Sequence, residues 1–297
     1  MDFAYSKDEL ALKERVRNFA AEKLLPIRDR VDSVDDYSPE AVKLLAEEGI
    51  LRYAVPKEYG GEGLSSVAAC IIREELAQVC TQADVAFIMN VFAAQAISKY
   101  GTDKQKQQCL PPMAKGEGLG TAAITEPGGG SDIGGVQTVA KPEGDHYVLN
   151  GAKSFCSMGA AAKSCVVIAT VNPELESKGV SAFIVDCNTP QPGVTVEIME
   201  IVAPHPIYKI TFDNYRLPKE NLLGQEGQGI EICLSMLGRA RTTVASAALG
   251  MAISAYEEAL AFAEKRIAFE RPIIKFQAMQ MMLSDTVSYT HLTLPTN

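Results

Sequence analysis

The chain has 297 residues, with 28 Lys and Arg against 37 Asp and Glu, so its formal net charge is −9. A content of 47% hydrophobic and 22% charged residues is typical of globular proteins and excludes a wholly disordered or collagen-like chain. The acidic balance, without a basic run, argues against nucleic acid, whose phosphates attract clustered Lys and Arg.

Membrane insertion is not expected, because the uncharged stretch 242–256 is shorter than the ~20 apolar residues that a spanning helix needs. The N-terminus is charged from Asp2 onward and has no apolar signal core. The seven Cys are odd in number and form no C-x-x-C pair, and the three His are isolated from one another. The sequence therefore predicts a cytoplasmic protein with free thiols and no metal site.

Residues 1–118 are predicted to form an N-terminal α-helical domain. Ser6 and Glu9 have the spacing of a capping box, and Pro39 after Ser38 opens a helix that Gly49 closes. The Ala-rich stretch 67–97 predicts one or two buried helices. A short charged helix within residues 99–118 is expected to end at Pro111-Pro112.

The pattern changes at residues 119–229, where short β-rich runs alternate with Gly, Pro and Asn and no helical periodicity connects them. This pattern predicts a central antiparallel β-domain and argues against a parallel βαβ sheet. The predicted strands include residues 146–149, 165–171, 180–185, 194–198 and 207–212.

Helical periodicity returns after Gly229, and residues 230–286 are predicted as the start of a C-terminal helical bundle. One predicted packing face consists of Val244, Ala247, Ala248, Met251 and Ala255. Residues 287–297 do not continue this pattern, and we interpret them as an atypical tail that leaves the bundle incomplete. The fold class expected is α+β, in the order helices, strands, helices.

The segment TAAITEPGGGSDIGG, residues 121–135, combines a strand end with a Gly-rich loop. It has no Lys for a Walker loop, and the loose G-x-G-x-x-A that begins at Gly118 follows a loop and enters a strand, unlike a Rossmann fingerprint. A loop without Cβ atoms can approach a phosphate or a flat ring closely. Taken alone, the segment is equally compatible with an ordinary β-turn.

The same segment resembles the TEPGxGSD signature of the acyl-CoA dehydrogenase family. Three further segments resemble that family in order: YVLNGAKSFCSMGAAA at 147–162, ITFDNYRLPKENLLGQEGQG at 210–229, and the stretch from GRARTTVASAALG to PIIKFQAMQ at 238–280. The resemblance extends to about Asp285. It implies a helical domain, a β-domain and a C-terminal helical domain, with FAD as the cofactor.

The resemblance also implies roles for individual residues in the β-domain. Ile124 and Thr125 match positions beside the pyrimidine side of the flavin, and Ser131 matches a position that contacts the cofactor phosphates and the CoA arm. Phe155 matches the aromatic residue that packs on the ring. Ser157, where Thr is usual, keeps a hydroxyl for the flavin N5 region.

In the C-terminal part, Arg241 matches an Arg near the CoA portion of the substrate. Arg266 and Phe269 match residues that reach the FAD of a neighbouring subunit, and Gln277 belongs to the same surface. Without the resemblance, each of these residues would be read as ordinary packing or surface. Ala268, Glu270 and Gly238 depart from the family pattern, which indicates a divergent subfamily.

The implied reaction is the removal of two hydrogens from adjacent carbons of an acyl-CoA, giving the enoyl-CoA, with electrons passed to an electron-transfer flavoprotein. A homodimer or homotetramer is the implied assembly. The base that removes the proton would be a Glu, which we expect beyond the end of this chain. In a minority of family members this Glu directly precedes the Arg that Arg241 matches, but here that position is Ala240. Glu126 is a weaker candidate for the base. A flavin oxidase or monooxygenase, and an inactive fragment, remain open alternatives.

Overall fold

The structure, a computed structural model, describes residues 4–32, 36–63 and 65–291, with side chains described to residue 288. Its N-terminal part is helical, as predicted. Among the described residues, six α-helices precede the first strand: α1 (Lys7–Phe19), α2 (Arg28–Val31), α3 (Pro39–Glu47), α4 (Ser66–Ala77), α5 (Thr81–Tyr100) and α6 (Asp103–Lys115).

The predicted helix starts are confirmed by their caps. Ser6 Oγ accepts from the Glu9 amide at 3.3 Å, and Glu9 Oε2 accepts from the Ser6 amide at 2.7 Å, which is the reciprocal capping box. Ser38 Oγ accepts from the Ala41 amide at 3.3 Å at the start of α3, where Pro39 is the first helical residue. These caps satisfy amides that have no partner inside the helix.

The predicted end of α6 at Pro111-Pro112 is wrong, because the helix continues through both prolines to Lys115. The nitrogens of Pro111 and Pro112 carry no hydrogen and cannot donate to the carbonyls of Gln107 and Gln108. Gln107 and Gln108 are exposed, so water can bind those carbonyls instead. The helix ends instead at Gly116, whose φ of +71° suits a residue without a Cβ.

The central part is a sheet of eight strands: β1 (Leu119–Ala123), β2 (Val139–Glu143), β3 (His146–Ser157), β4 (Ala162–Thr170), β5 (Val180–Val185), β6 (Val194–Ile198), β7 (Ile207–Pro218) and β8 (Leu222–Leu223). The main order is β6-β7-β3-β2-β4-β5-β8, and β1 pairs with β4. Most pairings are antiparallel, as predicted, but β1 and β2 pair with β4 in parallel. Runs of β-rich residues do not specify strand direction, which depends on where the long connections lead.

Both faces of the sheet are covered, so β4 is buried along almost its whole length. Val166 and Ile168 face the core shared with the helices, whereas Cys165 and Val167 face a second core within the β-domain. Strand alternation sends successive side chains to these two cores. A strand buried on both faces appears in the sequence as a continuous apolar run.

The long helix α7 (Gly229–Lys265) follows the sheet. The packing face predicted for it is largely wrong, because Val244 and Met251 are exposed. The face that packs against α4 carries Thr243, Ala247 and Gly250 instead. A Cβ at Gly250 would lie 2.2 Å from the Glu74 carbonyl oxygen, so the close approach of the two helices depends on glycine there.

A two-stranded hairpin, β9 (Ile267–Ala268) and β10 (Arg271–Pro272), connects α7 to α8 (Gln277–His291). Helix α8 therefore covers the first part of the predicted atypical tail, and residues 292–297 lie outside the described residues. The predicted order of helices, sheet and helices is confirmed. Across the described residues, no helix is both long and apolar enough to span a bilayer.

Candidate functional site

The two β-domain segments singled out in the sequence lie side by side. The Ser154 amide donates to the Thr125 carbonyl at 2.8 Å, and Thr121 Oγ1 donates to the Ser157 carbonyl at 2.6 Å. These bonds join the end of β1 to the end of β3. Thr125 and Ser157, far apart in the chain, therefore lie on neighbouring segments where β1 and β3 end.

Glu126 holds the loop that follows β1 in place. Its carboxylate accepts from the amides of Gln137 and Thr138 at 2.7 and 2.9 Å, from Thr138 Oγ1 at 2.6 Å and from Lys153 Nζ at 2.7 Å. Burial alone would raise the pKa of Glu126, but the hydrogen bonds from Lys153 and Thr138 and the Lys153 charge outweigh it and hold the pKa below its ordinary value. A carboxylate this well satisfied is a poor general base.

Lys153 was not identified from the sequence, although it is central to this arrangement. Its side chain is 0% exposed, and Nζ donates to Glu126 Oε1 at 2.7 Å and to the Ile124 carbonyl at 3.1 Å. Alternation along β3 places Lys153 on the same face as Tyr147 and Leu149, both buried. A Lys in the inward phase of a strand was the available signal, since a buried Lys requires a partner.

The Gly-rich loop offers free amides. Glu126 and Gly129 exchange two backbone hydrogen bonds at 2.9 and 3.1 Å, which form a tight turn. Within the described part of the chain, the amides of Gly130 and Ser131 have no acceptor, and Ser131 is exposed. The loop borders a cavity of about 240 Å³. Unpartnered amides beside a cavity suit the anionic oxygens of a phosphate.

Phe155 presents an exposed aromatic ring and directly follows Ser154, whose amide binds the Thr125 carbonyl. It lies at a register shift in β3, has a φ of +56°, and is 57% exposed. Positive φ in an aromatic residue is strained and is typical of functional sites. The hydroxyl of neighbouring Ser157 has no hydrogen-bond partner among the residues described. An exposed ring, a free hydroxyl and free amides together fit a flat, phosphate-bearing cofactor such as FAD.

The remaining predicted site residues are not brought to this surface by the contacts of a single chain. Arg241 is exposed on α7, and Arg266, Phe269 and Gln277 are exposed around the β9–β10 hairpin. The ring contacts described for this hairpin join Phe269 and Arg271 to Phe276. Their roles in FAD and CoA binding therefore stay predictions.

Family models match almost the whole chain. The N-terminal, middle and C-terminal domains of acyl-CoA dehydrogenase match residues 6–117, 121–215 and 227–291, respectively. The sheet surface and the three-part fold thus belong to a class of flavin-dependent oxidoreductases that act on CH–CH bonds. The chain belongs to the acyl-CoA dehydrogenase family.

Two curated relatives illustrate this membership. The short-chain-specific acyl-CoA dehydrogenase of Clostridium acetobutylicum is 35% identical over 96% of this chain and 76% of its own length. The acryloyl-CoA reductase (NADH) of Anaerotignum propionicum is 36% identical over 98% of this chain and 74% of its own length.

Solved structures give the same result. A chain in the structure described as the electron transferring flavoprotein of Acidaminococcus fermentans has a TM-score of 0.92 at 34% identity, covering 98% of this chain and 77% of that chain. Butyryl-CoA dehydrogenase of Megasphaera elsdenii has a TM-score of 0.90 at 30% identity, covering 98% and 78%. The acyl-CoA dehydrogenase of Bacillus anthracis complexed with FAD has a TM-score of 0.86 at 30% identity, covering 97% and 49%.

Proposed function

We propose that this chain forms the flavin and thioester surface of an enzyme that converts an acyl-CoA to its α,β-enoyl-CoA and passes the electrons to an electron-transfer flavoprotein. The observation that supports this proposal is the union of residues 124–131 with residues 155–157 through the Ser154–Thr125 and Thr121–Ser157 hydrogen bonds. These bonds support a common surface for the β-domain residues that the resemblance matches to flavin contacts.

Four residues would hold the flavin. Ile124 and Thr125 would border the ring through backbone groups, Phe155 would pack on it, and the free hydroxyl of Ser157 would bind its polar edge. When bound, FAD accepts hydride from Cβ of the acyl chain. The chain orients the ring and, through the apolar face of Phe155, keeps water from it.

The substrate's CoA portion would lie against Ser131 and Arg241. Ser131 has a free amide and an exposed hydroxyl at the Gly-rich loop, so it can bind a phosphate or the CoA arm. The exposed guanidinium of Arg241 on α7 supplies a permanent positive charge for a phosphate. These groups bind and position the thioester, and neither removes a proton.

The proton acceptor for Cα is expected elsewhere. Glu126 is bound by four donors, and the alternative position before Arg241 is Ala240, which has no acid group. The resemblance places the base on a later helix, and this chain covers 76% of the clostridial relative's length. We therefore propose that the base is a Glu of that later helix, as the resemblance implies.

The assembly we propose is a homodimer or homotetramer in which FAD is shared. Arg266, Phe269 and Gln277 would contact the cofactor of the neighbouring subunit. Phe269 is 89% exposed, so its ring is available to a partner surface. Large exposed apolar side chains on one surface are typical of interaction sites.

Flavin and substrate binding can be tested in two steps. We expect the purified chain to quench FAD fluorescence on titration, and Phe155→Ala to weaken FAD binding by about tenfold, equivalent to about 1.4 kcal/mol. Addition of butyryl-CoA under anaerobic conditions should bleach the flavin absorbance only when the helix with the Glu is present, for example in a fusion to the corresponding segment of the clostridial relative. Bleaching by the 297-residue chain alone would contradict the assignment of the base.

A further inference from the structure

We propose that Lys153 is a positioning residue for the bound flavin, because it polarises the Ile124–Thr125 peptide and strengthens the Thr125 amide as a donor to the ring. The inference rests on the proposed function, since it concerns FAD at that surface. Lys153 is buried and is not one of the predicted flavin contacts. The inference gives it an electronic effect on the Thr125 amide in addition to its structural role.

The geometry connects a charge to one particular peptide. Lys153 Nζ donates to the Ile124 carbonyl oxygen at 3.1 Å. The other end of that peptide is the Thr125 amide, which has no acceptor in the described part of the chain. The Thr125 carbonyl is occupied by the Ser154 amide at 2.8 Å, so the residue is held in place on its other side.

A donor at the carbonyl oxygen draws electron density from the amide nitrogen and makes the N–H more positive. Such cooperative strengthening amounts to roughly 10–30% per hydrogen bond in condensed-phase estimates. The effect is larger from a charged donor in a dry environment, and Lys153 is 0% exposed. An amide strengthened in this way stabilises negative charge on the pyrimidine side of the flavin, which accumulates on reduction.

The other charged and titratable groups around Lys153 do not cancel this effect. The Glu126 carboxylate accepts from four donors, so its charge is shared among them, and Nζ still donates a separate hydrogen bond to the Ile124 carbonyl. The neighbouring thiols of Cys156 and Cys165 stay neutral, because burial raises the pKa of Cys156 to about 12 and a hydrogen bond with Cys187 and burial raise that of Cys165. The ammonium is thus the positive charge nearest to the Ile124 carbonyl.

The first test uses the cofactor-free chain. In a sample labelled with ¹⁵N-threonine, the Thr125 amide proton should move upfield in Lys153→Met combined with Glu126→Gln, because the charged donor to the Ile124 carbonyl is removed. The Thr121 amide, which lies in β1, is the internal control and should move far less. The double variant avoids a buried unpaired charge, which would threaten folding.

The second test separates the electronic effect from stability. Glu126→Gln alone keeps Lys153 at the Ile124 carbonyl but loosens the loop that follows β1, so FAD affinity should fall in both variants, whereas the flavin midpoint potential should fall only in the double variant. The double variant should bind FAD about tenfold more weakly and with a lower midpoint potential. A purely structural role would instead make both properties follow the unfolding free energy.

The outcomes are distinct. An unchanged Thr125 amide shift, or an unchanged midpoint potential in a double variant that still binds FAD, overturns the inference and leaves the proposed function intact. A wild-type chain that binds no FAD at millimolar concentration overturns both. An upfield Thr125 shift together with a lower potential in the double variant, but not in Glu126→Gln, supports the inference.

Discussion

Individual residues carry local strain in the hairpin between α7 and α8. The β9–β10 hairpin has a two-residue turn in which Phe269 has φ +49° and Glu270 φ +64°. Such turns need positive φ at both central positions and favour glycine at the second. Glu270 occupies the second of these positions, so its left-handed backbone is strained.

Replacement of Glu270 by Gly should therefore stabilise the protein by about 1 kcal/mol, because the left-handed conformation costs an L-residue about that amount. The measurement is the urea unfolding midpoint. Glu270→Ala is the matched control, since it removes the charge but keeps the strain, and it should leave the midpoint unchanged. Equal stabilisation by both variants would point to charge rather than backbone conformation.

The Glu126–Lys153 pair predicts a pH dependence of stability. The pKa of Glu126 is below its ordinary value in the folded protein, so the pair stabilises the fold above that ordinary value and loses this contribution as the pH falls through the folded-state pKa. Glu126→Gln should cost about 3–5 kcal/mol at pH 7, because it leaves a buried ammonium unpaired. The difference between wild type and variant, from urea unfolding at several pH values, should shrink towards pH 3. A difference independent of pH would contradict this assignment.

At the scale of elements, the contact of α4 with α7 depends on one glycine. A Cβ at Gly250 would lie 2.2 Å from the Glu74 carbonyl, whereas a Cβ at Gly238 on the same helix would meet nothing within 4 Å. Gly250→Ala should therefore destabilise the protein by about 1–3 kcal/mol through overpacking. Gly238→Ala should stabilise it by up to about 1 kcal/mol through helix propensity. Thermal unfolding of both variants checks the prediction, and the same sign for both would refute it.

The elements also show why the predicted face of α7 failed. The stripe through Val244 and Met251 satisfies helical periodicity, but so does the stripe through Thr243, Ala247 and Gly250, which is the one that is buried against α4. Small residues permit close approach without being strongly hydrophobic. Hydrophobic periodicity ranks the two stripes in the wrong order because it measures transfer from water and not the distance between helix axes.

At the scale of the whole molecule, α7, the hairpin and α8 present an exposed apolar surface. It includes Phe262, Phe269, Met281 and Met282, each more than 60% exposed. A surface of this kind favours association. We therefore expect the chain to self-associate with increasing concentration in size-exclusion chromatography with light scattering.

The combined substitution of Met281 and Met282 by Glu should shift the protein towards the monomer. Leu175→Glu is the control, since Leu175 is 52% exposed and belongs to the connection between β4 and β5, not to α7, the hairpin or α8. It should leave the distribution of species unchanged. A wild type that stays monomeric at all concentrations, or an equal response of both variants, would contradict the proposed interface.

The sequence by itself determined the order of domains, most helix starts and the positions of several strands, because these depend on local caps and on periodicity within one segment. The bounds of β5 and β6 were predicted to the residue. It also identified, through resemblance, the segments that the fold later joined. The continuation of α6 through Pro111 and Pro112 was missed, because the exposure of the carbonyls that lose their donors is a property of the folded chain.

Tertiary structure alone decided the parallel pairing of β1 with β4, the strained φ of Phe155 and the burial of Lys153. Each depends on residues distant in the chain: Lys153 is charged by composition, yet Glu126 and the Ile124 carbonyl, 27 and 29 residues earlier, provide the partners for its burial. Propensities describe a residue among its neighbours in sequence, whereas the free energy of a buried charge depends on which groups surround it in space.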